Sequence, residues 1–132
     1  MILKDIQKLE KLVNSELANK VQKSSIDFEE LTIETNSDDL VDVITFLKSN
    51  DNCSIRQLID IAGVDYPADD KRFKLVYLLL SHEFNSRIKI SVKFEIGKKI
   101  NSIVNIFPSA NWMEREVFDM FGIEFQNHPD LR

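Results

Sequence analysis

Apolar residues at Ile2, Ile6, Leu9, Val13 and Leu17, with Leu12 widening the stripe, recur in steps of three and four. That spacing gathers them on one side of an α-helix and leaves Lys and Glu on the other, so an amphipathic helix is expected first. Ile26 and Phe28, then Leu31 and Ile33, alternate in two phases that shift at Glu29-Glu30. Such a shift predicts either one strand with a bulge or two short strands. Ser37-Asp38-Asp39 offers an N-cap and first-turn carboxylates for a second helix, in which Leu40, Val41, Ile44 and Leu47 continue to about Ser49.

Ile55 to Val64 fits no single period; a strand is expected near its end, closed by the turn Asp65-Tyr66-Pro67. From Lys71 to Ser81 the chain is apolar on both faces past Leu75, as in a central strand. Ile88, Ile90, Val92, Phe94 and Ile96 alternate with Lys89, Ser91, Lys93 and Glu95, the pattern of a strand with one wet face. Asn85-Ser86 is the expected hairpin turn between the two. Pro108 ends the next element. Asn111 with Glu114 resembles a capping box, and Gly122 followed by Ile123 suits a left-handed helix stop, which brackets a helix from Trp112 to Phe121. The predicted class is α+β: a mixed or antiparallel sheet packed against helices on one side, as a single domain over residues 1–132.

Composition narrows what such a domain can do. At 132 residues and 15.3 kDa, roughly two-thirds of the chain's surface can be buried, enough for a real core. The longest apolar run, Leu75 to Leu80, falls far short of the ~20 residues that cross a bilayer. No basic-then-apolar leader opens the sequence, so no secretory signal is expected. The single cysteine, Cys53, rules out an internal disulfide and a cluster held by four thiolates of this chain. His82 and His128 match no zinc spacing, and Gly63, Gly97 and Gly122 cannot build a phosphate loop. The inventory points to a protein that holds something rather than converts it.

The net charge of −5 is unevenly spread: residues 1–66 carry 7 basic and 13 acidic side chains, and residues 67–132 carry 10 and 9. Lys71, Arg72, Lys74, Arg87, Lys89, Lys93, Lys98 and Lys99 form a basic stretch against Glu83 and Glu95. A solvated strand face, an acidic protein partner or nucleic acid would each account for it. The overall acidity and the lack of a binding motif weigh against nucleic acid.

The segment from Ser102 to Arg132 carries the sharpest signals. On a helix, Met113, Val117, Met120 and Phe121 share one broad face, with Arg115, Glu116 and Asp119 gathered opposite around Trp112. Glu114 projects between Phe118 and Phe121, where a carboxylate is costly unless paired or hydrogen-bonded. Four readings compete: a capped helix with surface charges, a protein interface built on Trp112, Phe118 and Phe121, an acid–base pair drawn from Glu114, Glu116, Asp119 and His128, and a metal site from Glu114, His128 and Asp130. The catalytic reading lacks a nucleophile and a substrate-positioning loop. His128 is expected to hydrogen-bond locally, and Pro129 places Asn127-His128 in extended geometry.

Asn111-Trp112-Met113-Glu114-Arg115-Glu116-Val117-Phe118-Asp119-Met120-Phe121-Gly122-Ile123, followed by His128-Pro129-Asp130-Leu131-Arg132, closely resembles the signature of the 30-kDa-type subunit of respiratory complex I, the NADH–quinone oxidoreductase. Leu58 to Pro67, Arg72 to Ser81, Asn85-Ser86-Arg87-Ile88 and Phe107-Pro108-Ser109-Ala110 are similar to that family too. The resemblance runs over about residues 55–132.

The resemblance implies a peripheral-arm subunit without a redox centre, packed beside the quinone-site 49-kDa-type subunit and neighbouring subunits. NADH, FMN, iron–sulfur clusters and quinone would be held by those partners and none by this chain. It also implies a place peripheral to the inner membrane, on the cytoplasmic side in a bacterium or the matrix side in a mitochondrion. The signature positions Trp112, Glu114, Arg115, Glu116, Asp119, Phe121, Gly122, His128, Pro129, Asp130 and Arg132 are implied in fold and interface integrity, none in catalysis or metal binding. Family members continue past this stretch with a tail over neighbouring subunits; if those residues lie on another polypeptide, it is an extra partner. The alternative is the related subunit of a membrane-bound hydrogenase or formate-oxidising complex.

Overall fold

The computed structural model describes residues 2–28, 30–50, 53, 55–81 and 86–128. Helix α1 (Ile2–Glu16) leads into strands β1 (Val21–Asp27) and β2 (Glu30–Thr35), and helix α2 (Leu40–Ser49) follows. Strands β3 (Gln57–Asp65), β4 (Phe73–Ser81) and β5 (Ser86–Phe94) come next, then β6 (Ile100–Asn101), helix α3 (Ala110–Phe121) and β7 (Phe125–Gln126). The main sheet runs β1-β2-β5-β4-β3 and is mixed: every neighbouring pair is antiparallel except β2 and β5.

The phase shift near Glu30 resolves as two strands. β1 and β2 form a hairpin, with Phe28 at positive φ (51°) and its ring in solvent. Between Leu58 and Asp60 the β3–β4 ladder carries a bulge, which turns both Leu58 and Ile61 inward although they are three residues apart. That extra residue is why the stretch fits no single period. The alternation of β5 holds through Phe94; Ile96 falls beyond the strand and is exposed, ahead of a turn at Gly97 (φ 87°). The expected turn residue Asn85 lies outside the described residues, but β4 and β5 do pair antiparallel up to Ser81 and Ser86.

Two expectations need correcting. β4 is the interior strand its sequence predicts, between β5 and the edge strand β3, but it is not covered equally on both faces. The second apolar face of β4 (Val76, Leu78, Leu80) is half-buried and outside the core cluster. Nor does Ser37 cap α2. Asn36 organises the turn instead: its Oδ1 accepts the Asp39 N–H (3.0 Å) and its Nδ2 donates to the Asp39 carboxylate (2.8 Å).

One core unites the three helices with one face of the sheet. Ile6, Leu9 and Val13 of α1 and Leu40, Val43, Ile44 and Leu47 of α2 pack there with Leu31 and Ile33, Leu75, Tyr77 and Leu79, and Ile88, Ile90 and Val92. On the wet face two members of the basic stretch form ion pairs, Lys89 with Glu30 and Lys93 with Asp69, each at 3.0 Å. Arg72 closes the β3–β4 connection with two bonds to Asp65 (2.6 and 2.9 Å). This is the arrangement of a solvated strand face. Among the described residues, no helix is long and apolar enough to cross a membrane.

Candidate functional site

The final third of the chain is built around α3. Its C-terminus stops as the sequence predicts: Gly122 is left-handed (φ 72°), its N–H reaches the Phe118 carbonyl at 2.8 Å, and Ile123 beyond it is buried. The N-terminus differs. The helix begins at Ala110 after Ser109, with no side-chain cap, and Glu114 does not turn back to form a capping box. Its carboxylate is drawn into the core.

Two short strands flanking α3 assemble that pocket. β6 and β7 pair in parallel through Ile100 opposite Phe125 and Asn101 opposite Gln126. Ser102 leaves β6 and His128 follows β7, after a turn at Asn127 (φ 67°), so both arrive beside Glu114. The Ser102 hydroxyl donates to Glu114 Oε1 (2.6 Å), and the Ile103 N–H donates to Oε2 (2.9 Å). His128 Nε2 donates to the Asn111 carbonyl (3.1 Å) and lies 3.8 Å from Glu114 Oε1, with both side chains fully buried.

The electrostatics follow from this packing. Burial pushes the Glu114 carboxyl above its ordinary range, opposed by the Ser102 and Ile103 bonds and by the nearby His128. Burial, with the Glu114 charge adding to it, also raises the Tyr77 phenol well above its usual value. The Tyr77 hydroxyl has no hydrogen-bond partner among the described residues.

The placement of the signature residues divides by face. Glu114, Val117 and Ala110 are buried and Phe121 half-buried; Trp112, Arg115, Glu116, Asp119 and Met120 face solvent. Met120 thus departs from its expected place on the buried side. The buried face is centred on Ala110, Glu114 and Val117, with Met120 turned out, so the helix is rolled away from the arrangement that greasy residues alone would choose. Phe121 lies against Gly63 of β3 so closely that a Cβ at that glycine would sit 2.5 Å from the ring. Gly63, Ser102 and Tyr77 are the residues that sequence reasoning missed, although a lone glycine inside a strand is a known sign of close approach. Pro129, Asp130 and Arg132 lie outside the described residues, and with them the Asp130 arm of a metal site.

The chemistry available here is limited. Among the described residues no three His, Cys, Asp or Glu side chains converge to hold a metal ion. Burial pushes the Cys53 thiol up to about 11, far from a reactive thiolate at neutral pH. Glu114 faces into protein, bonded on both oxygens, rather than into a substrate cleft. The polar cluster fixes helix to sheet; the exposed side of the same helix faces outward.

The described residues form a small mixed-sheet domain whose last helix is fastened by a buried, hydrogen-bonded carboxylate. The profile described as "Respiratory-chain NADH dehydrogenase, 30 Kd subunit" matches residues 33–132, and the chain belongs to that family. The NADH-quinone oxidoreductase subunit of this family from Chelativorans sp. is 45% identical over 120 residues, which is 91% of this chain and 60% of that protein. NADH dehydrogenase [ubiquinone] iron-sulfur protein 3 of Arabidopsis thaliana is 50% identical over 99 residues, 75% of this chain and 52% of its own length. This chain thus spans about half to three-fifths of those relatives. Among solved structures, the trypsin-resistant fragment (1–134) of Nqo5 superposes with a TM-score of 0.79 at 27% identity, covering 93% of this chain and 98% of the fragment. A chain of an archaeal membrane-bound sulfane sulfur reductase shares the fold, with a TM-score of 0.82 at 22% identity over 96% of this chain and 73% of its own.

Proposed function

We propose that the chain is a non-catalytic subunit in the peripheral arm of a proton-pumping NADH–quinone oxidoreductase, packed beside the quinone-site 49-kDa-type subunit. The family match over residues 33–132 carries the reading. The names of the relatives, each belonging to an NADH dehydrogenase, support it. The single cysteine of the sequence fits this reading, since a cluster needs about four thiolates. In this reading NADH, FMN, iron–sulfur clusters and quinone belong to neighbouring subunits, and the chain contributes surface. It sits peripherally on the inner membrane, on the cytoplasmic or the matrix side according to the organism.

Affinity purification through the 49-kDa-type subunit, under conditions that keep the complex intact, tests this. Stoichiometric recovery of the chain supports the proposal, and its absence from an active complex rejects it. The fold shared with a sulfane sulfur reductase complex keeps a second membrane complex in view. Nickel-site subunits encoded beside this chain would favour the hydrogenase-type assembly.

A further inference from the structure

The solvent side of α3 has an unusual make-up for a surface helix. At about 100° per residue, Arg115, Asp119, Trp112, Glu116 and Met120 fall in that order within a sector of roughly 140°. Trp112 is 67% exposed and Met120 75%. Tryptophan carries a large apolar surface that is buried on average, and it is over-represented among the anchors of protein interfaces. A shallow cleft lined by Pro108, Ser109, Asn111, Trp112 and Arg115 lies along one edge of the indole. Other exposed apolar side chains, such as Phe28 at its hairpin tip and Ile96 ahead of Gly97, stand singly.

The charges around the indole define what fits. Glu116 and Asp119 are exposed carboxylates beside Trp112 on this face, against Arg115, the one basic residue of α3. An anionic lipid surface would be repelled by that excess, and a partner with an acidic rim would be too. The opposite side of the helix is held by the Glu114 bonds and the Gly63–Phe121 contact, so the outer side chains are presented on a backbone that need not reorganise.

We infer that the Trp112–Glu116–Met120 face of α3 docks a protein partner presenting an apolar pocket rimmed by lysine or arginine. This rests on the reading that the chain is a subunit of a larger complex, and it names the surface by which the chain joins.

Two variants test it in the assembled complex, recovered through a tagged 49-kDa-type subunit: Trp112→Ala with Met120→Ala, and Glu116→Lys with Asp119→Lys. Thermal melting of each isolated variant is run alongside. The first is expected to cut recovery at least tenfold while melting like the parent. The second should cut it several-fold, with the loss smaller at high salt. Parent-like recovery of both variants overturns the surface while leaving the proposed function standing. Failure of the parent chain to co-purify rejects the proposed function and this surface with it. A Trp112-dependent dimer in sedimentation, or Trp112-dependent binding to phosphatidylglycerol vesicles, assigns the face to another occupant and overturns the inference.

Discussion

The two sides of α3 are built from the same dozen residues and obey opposite rules. On the inner side, a carboxylate and a phenylalanine are fitted to specific partners: Glu114 to Ser102 and Ile103, Phe121 to Gly63 and the edge of Phe73. On the outer side, a tryptophan and a methionine lie bare among charges. The inner side fixes where the helix sits, and the outer side is where it is seen. Identical residue types would be read wrongly if composition were the only guide, because the buried polar group and the exposed aromatic each invert the usual preference.

That contrast breaks most sharply at Glu114. Glu114→Ala leaves the Ser102 hydroxyl and the Ile103 N–H facing an apolar gap, and is expected to cost about 3 kcal/mol in denaturant unfolding. A loss below about 1 kcal/mol would show that the cluster is not what holds the helix. Gly63→Ala places a methyl into the Phe121 ring and should destabilise by about 1–3 kcal/mol. Pairing it with Phe121→Leu should recover part of that loss, and a double-mutant cycle without coupling would break the proposed contact.

The pH response has a defined sign. The folded-state pKa of Glu114 lies above its unfolded value of about 4.3, so its favourable contribution is complete below that value and is lost as pH rises through the folded one. Measured against Glu114→Gln, the parent should therefore gain stability as pH falls from neutral towards 4. In a His128→Gln background, without the nearby ring that opposes the shift, the window should move to higher pH.

Smaller effects complete the series. Tyr77→Phe removes a buried hydroxyl with no partner among the described residues, and its melting temperature should match or slightly exceed the parent's. A drop equivalent to more than about 1 kcal/mol would reveal a partner for that oxygen. Trp112→Ala in the isolated chain should shift stability by less than about 0.5 kcal/mol. Since Trp112 is the only tryptophan, quenching of its emission by acrylamide reads its exposure directly; a shielded indole would contradict the outer-face assignment.

What the sequence disclosed depended on distance along the chain. The α3 stop was readable because Gly122 and Ile123 act within one turn of the helix they end. β5 was readable because strict alternation needs no outside partner to interpret. The β3 pattern was blurred by a single bulged residue and by Gly63, whose reason lies across the sheet in Phe121. The roll of α3 was hidden because Ser102 and His128 reach Glu114 through β6 and β7, two strands too short to leave a periodic trace. The need of Glu114 for partners was evident from its place between Phe118 and Phe121, but their identity was not.

The parallel pairing of β2 with β5 has a kinetic consequence. β1 with β2, and β3 with β4 and β5, are each joined by near neighbours in the chain, but Glu30 meets Arg87 only after the whole intervening stretch has been threaded back. A pairing of that sequence separation raises the contact order of the domain, and it is expected to fold more slowly than its two antiparallel halves would if each stood alone.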